Sequence, residues 1–171
     1  LSRILSIKSF DNNVVATSEL TTRVTEGTTT IYVTVEVSSS ILLLPEVPMT
    51  GRLDNPRVGY FTNPLTNFSD GQQRVNKKQF ITRWRLEPRP EDRAAYLRGE
   101  LVEPRKPIVF YIENSTPYRW RKYIKQGIED WQVAFERAGF KNAIIAKDIT
   151  EDMEVDMDDV NYSVLTYAAS T

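Results

Sequence analysis

Residues 106–149 carry the feature that most restricts the fold. "KPIVFYIE" at 106–113 is a near-continuous apolar run of the kind buried on both faces of a parallel sheet. Trp120, Ile124, Ile128, Trp131, Phe135 and Ala138 then recur at spacings of three or four, which writes one apolar stripe along a helix. "NAIIAKDI" at 142–149 is a second buried strand, and Gly139 stands where a C-terminal glycine cap belongs. Upstream, Ser115 or Thr116 offers an N-cap, with Pro117 in the first turn. Strand, helix and strand joined by short links require a parallel pair with a crossover, expected to be right-handed. "NYSVLTYAA" at 161–169 reads as a third strand, which leaves the unit unfinished.

The N-terminal quarter is written in a different period. Ile31, Val33, Val35 and Val37 alternate with Tyr32, Thr34 and Glu36, the signature of a half-buried strand. Residues 14–24 are rich in threonine and valine, and "TEGT" at 25–28 supplies a glycine for a hairpin turn. Residues 41–44 form a short apolar run closed by Pro45, so a small antiparallel meander is expected. Between them, residues 45–79 are punctuated by Pro45, Pro48, Pro56, Pro64, Gly51, Gly59 and Gly71 and hold no sustained periodicity. So long a loop is uncommon in a compact domain, and is either functional or draped over a neighbour. Residues 79–88 return to strand alternation through Phe80, Thr82, Trp84 and Leu86, and residues 90–101 read as a short helix opened by Pro90.

The chemistry-bearing residue types are sparse. The 171 residues include no histidine and no cysteine, which removes disulfides, thiolate zinc sites and cysteine nucleophiles. A net charge of −1 argues against a wholesale nucleic-acid or membrane-surface role, and no apolar run is long enough to span a bilayer. The start at Leu1 and the lack of a signal peptide suggest a mature or interior piece of a longer protein. The acidic segment with Asp148, Glu151, Asp152, Glu154, Asp156, Asp158 and Asp159 could suit calcium. It lacks the EF-hand spacing and its glycine, so a solvated connecting loop is expected. The basic, aromatic-interleaved run at residues 74–106 could track a phosphate backbone, but Glu87, Glu91, Asp92, Glu100 and Glu103 dilute it, so a surface of paired charges is expected. Trp120, Trp131 and Phe135 are expected in the core. The N-x-[ST] triplets at Asn67, Asn114 and Asn161 suit local structure better than glycans.

Four strings, "NPRVGYF", "FSDGQQRVNKKQFITRWRLEP", "YLRGELVEPRKPIVFYIE" and "KYIKQGIEDWQVAFERAGFKNAIIAKD", are similar to stretches of large extracytoplasmic zinc-dependent metalloproteases of gut-type bacteria. In these an uncharacterised N-terminal domain precedes a metzincin-like peptidase domain. The resemblance is strongest over residues 55–148. It implies an α+β fold in three parts: a β-rich N-terminal domain at 1–44, an irregular arm with one strand and a short helix at 45–105, and the incomplete start of a metzincin-like domain at 106–171. That last part would be a β-α-β-β unit with one long helix.

The resemblance further implies that HExxHxxGxxH, whose histidines bind zinc and whose glutamate is the base, lies beyond Thr171. No catalytic, cofactor-binding or metal residue carries over onto this chain, and zinc is expected only in the full-length parent. The implied partners are the rest of the peptidase domain and a protein or peptide substrate, in an extracytoplasmic setting, with no nucleic acid and no membrane span. An exposed strand edge suggests self-association as well. Within the arm, Arg52, Asp54 and Arg57 are the polar residues best suited to reach a catalytic cleft. Asp54 is the candidate latch on the open zinc position, and the simpler alternative is an arm that only wraps the surface. A β-rich interaction module without peptidase activity remains the competing reading.

Overall fold

A computed structural model describes residues 2–68, 70–71 and 73–169. The first sheet is an antiparallel meander, β1 (Arg3–Ser9), β2 (Asn13–Glu26) and β3 (Thr29–Leu42), in that order. Gly27 takes φ +61° at the turn between β2 and β3, where Glu26 pairs with Thr29, so the glycine supplies the left-handed residue of the hairpin. The register places Val24 opposite Ile31, Leu20 opposite Val35 and Val14 opposite Ile41. Side chains of paired residues share a face, so the aliphatic residues of both strands gather on one side. The other side carries hydroxyls and charges: Thr21 bonds Thr34, Thr25 bonds Thr30, and Arg3 pairs with Glu19. Ile41 and Leu42 are the end of β3 rather than a separate element.

The arm is shorter than its composition suggests. Within it β4 (Thr62–Asn67) and β5 (Asn76–Ile81) pair as an antiparallel hairpin. Pro64 and the asparagines of "TNPLTN" are poor strand formers, which hides β4 from its sequence. The strand expected at 79–88 stops at Ile81, and Thr82, Trp84 and Leu86 continue as coil. The upstream arm is laid against β5: Asp54 donates its N–H to Gln79, and Ile81 donates to the Arg52 carbonyl. Arginines fasten the rest, with Arg83 donating to the Thr50 carbonyl and Arg85 to that of Val47.

A 3-10 turn at Pro90–Asp92 leads into α1 (Arg93–Leu97), which ends sooner than the expected 101. β6 (Ile108–Ile112), α2 (Tyr118–Glu129), α3 (Gln132–Arg137), β7 (Ile144–Asp148) and β8 (Ser163–Leu165) complete the chain. β6 pairs in parallel with β7 on one side and β8 on the other, giving the order β7-β6-β8. The single helix expected here is two, because Trp131 N–H reaches back three residues to Ile128 at 3.4 Å and tightens the turn at Asp130 and Trp131. Neither Ser115 nor Thr116 caps it: Pro117 stands at the N-cap, the Ser115 hydroxyl donates to Glu113, and Thr116 is buried. The third strand is confined to residues 163–165.

The stripe that faces inward is Arg121, Ile124, Lys125, Ile128, Gln132 and Phe135, each less exposed than its neighbours. Trp120 and Trp131 are exposed, against the expectation of core, since the break in the helix and its lie along the β7 edge turn them outward. Phe135 does join the core, packing on Val102, Phe140 and Ala143 beside Tyr96. There α3 ends in a Schellman motif: Gly139 has φ +94°, Phe140 N–H bonds Phe135 and Gly139 N–H bonds Glu136. Folding leaves 13943 Å² accessible, against about 8,600 Å² for a compact monomer of this mass. Much apolar surface therefore has no cover within this chain.

Candidate functional site

A groove of about 890 Å³ opens between the arm, β6 and the approach to β8. Its lining includes Val47, Trp84, Val109 and Tyr111, with Arg105 and Lys106 beside them. Trp84 is held edge-on against Phe110 at 5.9 Å, and Tyr111 against Tyr162 at 5.4 Å, so the aromatic walls are braced from behind. Arg85 spends its guanidinium on Glu87 and the Val47 carbonyl, whereas Arg105 and Lys106 make no ion pair among the described residues. Apolar rings beside cations can hold an anionic or peptide-like ligand, and Glu87 and Ser163 share the same lining.

The acidic segment is a connecting loop that keeps Glu151, Asp152 and Glu154 exposed, and it is also tethered to the meander. Lys8 of β1 bonds Asp156 at 2.9 Å and Asp158 at 2.8 Å. Both carboxylates raise the lysine above its ordinary value, Asp158 most. Asp156 is held below the usual carboxylate range, first by the backbone N–H of Asp158 and then by Lys8. Asn13, buried on the polar face of the meander, donates to the Asp158 carbonyl and accepts from the Val160 N–H. Asn161 joins the same seam, accepting from Asn12 and donating to Asp159. Lys8 and Asn13 carried no recognisable signal in the sequence, because a lysine or asparagine in a strand looks like surface until its distant partner is known.

Asp148 lies apart from that seam, paired with Lys125 and, at 3.9 Å, with Arg121. Asp54 is half-buried on the arm, fixed by its backbone to β5, and Asn55 rather than Asp54 engages Arg57. The structure thus keeps Arg52 and Asp54 together on the β5 seam. The basic run resolves in part into pairs: Arg85 with Glu87, Arg89 with Glu103 and Arg98 with Glu100. Asn67 is exposed at the end of β4, and Asn114 gives its carbonyl to Arg121 instead of capping the helix. Among the described residues no three of His, Cys, Asp and Glu stand together where they could hold a metal ion. Nor is any helix among them long and apolar enough to cross a membrane.

The fold defines a class: a mixed α+β chain, mostly β. The chain belongs to the family described as Domain of unknown function (DUF5117), whose match covers residues 1–89, from the meander through the hairpin. No curated protein and no solved structure matches the chain.

Proposed function

We propose that this chain is a non-catalytic part of a secreted or otherwise extracytoplasmic zinc-dependent metalloendopeptidase, forming its N-terminal domain and the first part of its peptidase scaffold. The observation that carries the reading is the unit β6–α2–α3–β7–β8, which has the strand, long helical segment and further strands that the metalloprotease resemblance leads one to expect. Two of the four sequence strings behind that resemblance run through the same unit. Zinc and the peptide-cleaving groups belong to the parent beyond Thr171. This chain's own residues hold strands in place and present surfaces. Asp54 stays a proposal as the arm's latch residue, but its fixation on β5 favours an arm that wraps and joins.

A second reading, a β-rich interaction module without peptidase activity, draws on the uncovered aliphatic side of the meander. The parental reading frame distinguishes them. HExxH within about the next hundred codons supports the peptidase scaffold, and a frame without it supports the interaction module.

A further inference from the structure

The meander is covered on the unexpected side. Its polar face is closed near Asn13 and Val15 by the tether loop, and both residues are 3% exposed. Its aliphatic face is open from Ile4 and Ile7 on β1, through Leu20 on β2, to Ile31, Val35 and Ile41 on β3. These six range from 40% to 71% exposed. With their aliphatic neighbours they present on the order of 700 to 800 Å², whereas isolated monomers seldom show a contiguous apolar patch beyond a few hundred. That area is what each partner contributes to a stable interface of standard size. The paired positions that make up this face carry no charge except Glu26, at the hairpin tip.

We infer that this face is an interface with a second copy of the chain, two meanders stacking face to face as a sandwich. An uncharged aliphatic surface meets its own copy across a two-fold axis without like-charge repulsion, and aligned sheets interdigitate such side chains at about 10 Å separation. The hydroxyls and ion pair of the opposite face are already satisfied within the protomer, so that face has less to gain from burial. The inference is independent of the peptidase reading.

Sedimentation equilibrium of the whole chain tests it. The wild type is expected to be dimeric, and Leu20→Glu combined with Val35→Glu to weaken the dimer by about 100-fold or more through buried like charges. Both positions are solvent-exposed in the protomer, so circular dichroism should be unchanged. Tyr32→Ser, on the polar face, should leave the dimer intact. Because the chain lacks cysteine, Val35→Cys gives a clean second measurement: its thiol should be protected from maleimide in the dimer, and that of Tyr32→Cys should not. A monomeric wild type, a dimer that survives the double substitution, or equal maleimide labelling at the two positions overturns the inference. A monomer whose face loses hydrophobic-dye binding only within the longer parent overturns it in favour of an intrachain cover.

Discussion

Gln132 closes the outer edge of β7, and replacing it with methionine isolates what that closure contributes. Its Oε1 accepts from Ala143 N–H at 3.0 Å and Ile144 N–H at 3.3 Å, while its Nε2 donates to the Phe140 carbonyl at 3.3 Å. Glu129 takes the next outward group, Ala146 N–H, at 3.2 Å. An edge strand left with bare donors invites pairing with other chains, and here helix side chains occupy them. Ala143 is fully buried, so orphaning its N–H costs about 1–3 kcal/mol, and the two longer bonds add about 0.5 kcal/mol each. Gln132→Met keeps the side-chain length and helix propensity, so urea unfolding should show a loss of about 2–4 kcal/mol. Hydrogen exchange should quicken at Ala143 and Ile144 and stay unchanged at Val24 in the meander. A loss below about 0.5 kcal/mol with unaltered protection would refute the edge-closure reasoning.

Gly139→Ala should cost about 1–2 kcal/mol from its φ of +94° alone, and more because a Cβ would stand 2.7 Å from the Tyr96 ring; thermal unfolding reads the sum. The Lys8 tether should respond to pH at both ends. Because Asp156 is depressed when folded, its contribution is present above the ordinary 3.8 and disappears as pH falls through the lower folded value. Because Lys8 is raised, its contribution is present below 10.5 and disappears as pH rises through the folded value. Exchange at the Val160 amide, bonded to Asn13, should quicken outside that window and in Lys8→Met throughout it. In the parent, Asp54→Ala should leave peptidase activity unchanged if the arm only wraps, and raise it in a latent enzyme if Asp54 is the latch. The isolated chain, dialysed, should carry no stoichiometric zinc on metal analysis.

The sequence was most legible where period and burial agree. The alternation of β3, the glycine of its turn and the run of β6 all specify local structure that tertiary contacts then respect. β4 was illegible because Pro64 and its asparagines are held by pairing with β5 rather than by propensity. The helix stripe misled through its tryptophans. Spacing cannot distinguish rings that face the core from rings at the margin of the stripe, and the core-facing places went to Arg121, Lys125 and Gln132, which bond backbone or Asp148. The groove and the tether were equally hidden, since each joins residues more than a hundred positions apart or draws on four separate segments.

The central claim, that this chain is scaffold for a zinc-dependent peptidase, is tested most directly on the purified parent polypeptide by measuring its metal content and its cleavage of an unstructured protein in one preparation. Stoichiometric zinc with cleavage abolished by a chelator and restored by zinc is the expected result. A correctly folded parent with neither zinc nor chelator-sensitive cleavage would contradict the claim.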